Sequence, residues 1–142
     1  MPMYARREEG ISPLMMAAYR GHLDMVKNLA DMIEDSETRK TLLNTKGESG
    51  FSALSYAAAG GHLETVRYLV ENDADIDAKT HNGWTPLMFA ASAGHLDVVK
   101  YLLDKGANIN ARGDNGWTPL KYAITGGHHD VKEFLKQQGG TK

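Results

Sequence analysis

The chain has 142 residues, with 16 Lys and Arg against 18 Asp and Glu, a net charge of −2 and an isoelectric point near 6.3. A chain of this length can build one domain with a continuous core, and its charge balance gives no global pull toward nucleic acid or an acidic membrane. Having no cysteine, it can form neither a disulfide framework nor a thiolate metal site.

No segment approaches the length of an apolar membrane span, and there is no N-x-Ser/Thr sequon. The opening MPMYARREEG is charged and lacks the apolar run of a signal peptide, so a cytoplasmic protein without membrane contact is expected.

The first helical segment reads SPLMMAAYRGHLDMVKNLADMI. Six of the seven methionines (Met1, Met3, Met15, Met16, Met25, Met32) lie in this first quarter. They suit either the irregular packing of an end unit or a soft docking face. Its second helix has Ile33 where later units have Gly106 and Gly139, so it lacks a glycine stop. Seven extra residues follow within positions 31–40. Asp35 and Ser36 are placed to cap a short extra helix there, with Leu42 and Leu43 rejoining the register and Leu43 matching Ile76 and Ile109.

The second segment, GFSALSYAAAGGHLETVRYLVENDADID, has Ala53 where the others have proline, and Ser52 still serves as a cap. Its stop position is Asp73, a milder end signal than glycine. The third, NGWTPLMFAASAGHLDVVKYLLDKGANIN, is the most regular. Asn82-Gly83 is a turn dipeptide whose residues both tolerate positive φ. Thr85-Pro86 supplies a capping hydroxyl and a ring suited to the first helical position. A short helix to Ala93-Gly94 and a longer one from 96 to about 105 are expected.

In the fourth segment Leu96, Val99 and Leu103 become His129, Lys132 and Lys136, which share one helix face. A polar outer face is what a terminal repeat needs, so four repeats ending at residue 142 are expected. Asp24-Lys27, Glu64-Arg67 and Asp97-Lys100 are opposite charges at i, i+3 on the second helices, where each pair adds a few tenths of a kcal/mol.

One unit is being copied. Gly-His recurs at Gly21-His22, Gly61-His62, Gly94-His95 and Gly127-His128, and turn glycines recur at Gly10, Gly50, Gly83 and Gly116. Both series are spaced 40, 33 and 33 residues. A 33-residue helix-turn-helix unit with T-P-L and G-H landmarks resembles the ankyrin repeat family, over nearly the whole chain. The resemblance implies an all-α solenoid of stacked helix-turn-helix repeats with β-hairpin turns. It forms a single domain over 1–142, with repeats at about 8–43, 48–80, 81–113 and 114–142. The chain departs from the family pattern at the T-P-L-H histidine (Met15, Ser55, Met88 and Lys121) and at the turn aspartate (Gly47, Thr80 and Gly113 in the last three repeats).

Residues with catalytic potential do not converge. Gly-His copies on stacked helices sit roughly 8–10 Å apart, too far for two ligands to share a zinc at about 2.1 Å. Repetition at one register points instead to hydrogen bonds that tie turns together. No phosphate-cradling loop, nucleophile elbow or HExxH occurs, and Ser49 in GESG lacks a strand-turn-helix context. A non-enzymatic chain without cofactor or metal is expected. Arg112-Gly113-Asp114 spells an adhesion tripeptide at a turn, but a three-residue match carries little weight.

Stacking turns equal positions into rows. Lys46, Lys79 and Arg112 make a basic row before each turn, and Phe51, Trp84 and Trp117 an aromatic row after it, with Ile11 in the equivalent first place. The resemblance implies that the turns and first helices form the binding face. The least copied residues there are Glu48, Ser49, His81, Asn82, Asp114 and Asn115 at the turns, and Tyr19, Arg20, Ser92, Ala93 and Thr125 at the first-helix ends.

The expected function is protein–protein interaction by a monomer. Trp84 and Trp117 would act as apolar anchors, and Lys79 and Arg112 would select acidic groups on a protein of unknown identity. On that reading, replacing both tryptophans with alanine abolishes capture and leaves thermal unfolding nearly unchanged. The bland alternative makes the tryptophans ordinary packing and the lysines ordinary solvation. Two other classes stay open. Alternating aromatic and basic residues suit a single-stranded nucleic acid, although three cations give a salt slope of only about −2 to −3 and the net charge disfavours it. A structural or engineered scaffold without an evolved partner is the third.

Overall fold

In a computed structural model, which describes residues 11–47 and 49–142, nine α-helices form and no strand does among those residues. Met1, Met3, Gly10, Glu48 and the expected start of the first repeat at residue 8 lie outside the described residues. Four helices form an inner layer: α1 (Pro13–Arg20), α4 (Ala53–Gly60), α6 (Pro86–Ala93) and α8 (Pro119–Thr125). Four form an outer layer: α2 (Leu23–Asp31), α5 (Leu63–Glu71), α7 (Leu96–Asp104) and α9 (His129–Gln137). The ninth, α3 (Ser36–Leu43), is the insertion. Each inner helix packs on the next along the array and on its own outer partner.

Local chemistry accounts for these elements. Every inner helix starts at a Ser or Thr whose hydroxyl accepts the amide three residues on: Ser12 from Met15 at 3.1 Å, Ser52 from Ser55 at 3.2 Å, Thr85 from Met88 at 3.3 Å and Thr118 from Lys121 at 3.2 Å. Where Ala53 replaces proline, Ser55 returns a bond to the Ser52 amide, and this reciprocal pair holds the helix start. The inner helices bury alanines (Ala17, Ala18, Ala57, Ala58, Ala90, Ala91 and Ala123), whose small side chains let neighbouring backbones approach. Between the layers lie Val26, Val66, Leu69, Val98, Leu102, Val131 and Leu135, all fully buried.

The irregular first unit closes by other means. Asp35 caps α3, accepting from the Thr38 amide at 2.9 Å and its hydroxyl at 2.6 Å, and these bonds hold the Asp35 carboxyl below its ordinary pKa. Arg39 then donates to the carbonyls of Ile33 at 2.6 Å and Ala30 at 3.2 Å. The guanidinium thus ties α3 back to the chain at and just past the end of α2, where no glycine stops the helix. Leu43 rejoins the core, fully buried. In the second unit Asp73 takes φ 73°, the same left-handed stop as Gly106 and Gly139.

Two expectations change. The β-hairpin turns contain no strand among the described residues. Each is a short loop closed by a tight-turn bond (Gly50 N to Gly47 O, Gly83 N to Thr80 O, Gly116 N to Gly113 O) and one bond across its base: Gly47 N to Phe51 O at 3.0 Å, Thr80 N to Trp84 O at 2.9 Å, and Gly113 N to Trp117 O at 3.0 Å. Only the glycine of Asn82-Gly83 takes positive φ, at 80°. Of the three charge pairs on the outer helices, Glu64–Arg67 closes at 3.4 Å. Lys27, Arg67 and Lys100 instead share a different register, each lying over the aromatic ring of the next repeat: Tyr68 at 5.9 Å, Tyr101 at 4.9 Å and Phe134 at 5.4 Å. A ring face one repeat away draws the cation because both lie on the same solvated stripe of stacked helices.

Candidate partner-binding face

The turn loops and the inner helices present one continuous surface. Adjacent turn tips are bonded to each other, His81 N to Ser49 O and Asp114 N to Asn82 O, both at 3.0 Å. This zipper sets the spacing of the exposed tip residues His81, Asn82, Asp114 and Asn115.

Behind the tips runs a seam of rings. Tyr19 meets Tyr56 edge-on at 5.8 Å, then Tyr56–Phe51, Phe51–Phe89, Phe89–Trp84, Trp84–Tyr122 and Tyr122–Trp117 follow at 5.0, 5.0, 4.8, 4.2 and 5.1 Å between centroids. Phe51, Trp84 and Trp117 are half-buried. Tyr56, Phe89 and Tyr122 form a second aromatic row that interleaves with them. These three share the 33-residue spacing, the signal by which the row could have been found in the sequence. Burial raises the Tyr56 phenol above its ordinary pKa. Tyr19 ends the seam, exposed, at the register of Ala59, Ser92 and Thr125.

The basic row is placed differently from a free cationic edge. Lys46 Nζ donates to the Lys79 carbonyl at 2.9 Å, Lys79 Nζ reaches the Arg112 carbonyl at 3.5 Å, and Arg112 donates to Gly116 O at 2.9 Å. Each cation is exposed yet spends a donor on the backbone, two of them one repeat ahead.

The histidines form a second ladder. His62, His95 and His128 donate through Nε2 to the carbonyls of Tyr19 at 2.8 Å, Ala59 at 3.1 Å and Ser92 at 2.9 Å. A carbonyl only accepts, so each ring carries its proton on Nε2. Ser92 therefore contributes its backbone to the stack and is half-buried, and Thr125 at the same register is exposed. A third ladder joins the loops after the outer helices: Asn44, Asp77 and Asn110 accept, through Oδ1, the amides of Asp75 at 2.6 Å, Asn108 at 3.1 Å and Thr141 at 2.9 Å.

Of the residues singled out in the sequence, the structure gathers Asn82, Trp84, Asp114 and Asn115 around one shallow cleft between the last two turns. Trp117 adjoins it through Tyr122. Lys46, Phe51, Lys79 and His81 lie along the same edge toward the N-terminus, and Ser92 and Thr125 lie at the far end of the inner helices.

Helix pairs that bond to their copies at equal positions define a repeat solenoid, a class whose chemistry lies in its surface. Family models agree: the ankyrin repeats (many copies) model matches residues 54–103 and 89–135, and the ankyrin repeat model matches 9–32. The chain belongs to the ankyrin repeat family, whose members are generally protein–protein interaction modules. No curated protein matches the chain. Among the described residues no helix is long and apolar enough to cross a membrane.

Proposed function

We propose that the chain is a non-catalytic module that binds another protein with its turn tips and inner helices. The observation that carries this reading is the aromatic seam from Tyr19 to Trp117, with Phe51, Tyr56, Trp84, Phe89 and Trp117 half-buried, bordered by turn residues that differ from copy to copy. Fixed rings offer contact area at small entropic cost, and the variable polar tips supply discrimination. The carbonyl bonds of Lys46, Lys79 and Arg112 favour a stacking role for that row over selection of acidic groups.

Site-specific photocross-linking in the native cell tests the reading. A cross-linker at Asn115 or Asn82 should join a defined protein, and one at Arg67 on the outer helices should not. Equal yields from both sides, or none from the turns, would sink it. The same chain titrated with a labelled oligonucleotide at low salt should show no binding, and tight binding there would favour the nucleic-acid reading.

A further inference from the structure

We infer that the cleft between the last two turns receives an arginine side chain of the partner. This rests on the protein-binding reading and reverses the charge expected of the partner at this point. Four residues line the cleft: Asn82, Trp84, Asp114 and Asn115.

The Asp114 carboxylate is built into the turn below it. A Cβ on Gly83 would stand 2.8 Å from Asp114 Oδ1, so the missing side chain is what lets the carboxylate lie there. Among the described residues no hydrogen bond or ion pair engages that carboxylate, and it is exposed. Arg112, the cation nearest in sequence, donates to the Gly116 carbonyl.

Trp84 supplies the apolar wall, held between Phe89 and Tyr122 at 4.8 and 4.2 Å. Its counterpart Trp117 already carries a cation, Lys121 Nζ at 5.3 Å from the ring centroid. The residue 33 positions before Lys121 is Met88, which is fully buried. The third repeat thus has the ring without the built-in cation.

Asn115 is fixed by accepting the Trp117 amide at 3.0 Å and by its contact with the Tyr122 hydroxyl at 3.2 Å, and Asn82 adds a second exposed amide. A carboxylate, an amide oxygen and an indole around one cleft match a planar guanidinium with its five donors better than a point-like ammonium. An acidic side chain would meet Asp114 and be repelled.

The test is an NMR titration of the folded chain with N-acetyl-arginine methylamide, reading the Trp84 indole N–H, assigned from the Trp84→Phe spectrum. A saturable shift is expected. The isosteric, uncharged citrulline analogue and the Asp114→Asn chain should each bind roughly fivefold more weakly, and Asp114→Glu should keep most of the binding. Citrulline binding as well as arginine, or an Asp114→Asn chain that titrates like the parent, overturns the inference. Cross-linking from Asn115 separates the two levels. Undiminished partner capture by Asp114→Asn removes the arginine and leaves the protein-binding face, whereas no cross-link from any turn position removes both.

Discussion

His95 Nε2 donates to the carbonyl of Ala59, 36 residues earlier, at 3.1 Å, and the same imidazole lies over Gly61, where a Cβ would come within 2.5 Å of its Nδ1. One side chain thus ties a helix start to the previous inner helix and fills the space a glycine leaves. His62 over Gly21 and His128 over Gly94 repeat the arrangement.

Losing the ring leaves a carbonyl unsatisfied at a helix end and opens a void above the glycine. His95→Ala is expected to cost about 1–3 kcal/mol in urea unfolding. The glycines separate the two contributions. Gly127→Ala meets no atom within 4 Å and bears only its φ of 74°, about 1–2 kcal/mol. Gly94→Ala must also displace His128, adding about 1–3 kcal/mol of overpacking. Equal losses for the two variants would show that the imidazole yields freely.

Asn44 and Asn110 each use Nδ2 for a second bond, to the carbonyls of Asp73 at 3.0 Å and Gly139 at 3.5 Å. Asp77, at the same register, has no donor to offer the equivalent Gly106 carbonyl. Asp77→Asn keeps the Asn108 bond and adds the missing one. A gain of about 0.5 kcal/mol, a rise of roughly 2 °C in Tm, is expected by calorimetry.

Tyr101 is 8% exposed, and its hydroxyl has no hydrogen-bond partner among the described residues. Tyr101→Phe should leave stability unchanged or raise it at neutral pH, since the ring contact with Arg67 survives. The pH dependence has a definite sign. Burial, then the Glu71 charge, raises the phenol's pKa above 10. Its contribution is present below the unfolded pKa and is lost as pH rises through the higher folded value. Urea unfolding at neutral and strongly alkaline pH should show a smaller alkaline loss in Tyr101→Phe than in the parent. Some loss persists, because Tyr56 and Tyr68 are raised too.

Trp84 belongs to a packed cluster with Met88, Ala111, Tyr122 and Trp117. The expectation that alanine at Trp84 and Trp117 leaves thermal unfolding unchanged is therefore revised. Trp84→Ala should cost about 2 kcal/mol, and Trp84→Phe, which keeps the ring contact, less than about 1.5 kcal/mol. Partner capture is then best compared between the parent and Trp84→Phe, with melting curves run on both.

The sequence alone determined the repeat, its helix starts and stops and the insertion helix, because these depend on residues within a turn or two of one another. Ser52 caps and Gly94 stops wherever the rest of the chain lies, and Asp35 announces α3 by itself. A 33-residue spacing also says which residues will share a row, and the row of Tyr56, Phe89 and Tyr122 was legible by that rule.

What a row does was decided by the tertiary structure. Lys46 and Lys79 look solvated in sequence. Only the distance between stacked backbones brings an ammonium to a carbonyl 33 residues away. The same holds for Lys27, Lys100 and the histidines, whose partners lie 34 to 43 residues along the chain. Asp114 is one more turn residue until stacking lays its carboxylate over Gly83 beside Trp84. Local rules act over a few covalent bonds, whereas these contacts depend on the pitch of the array, which the packing of buried alanines and valines sets.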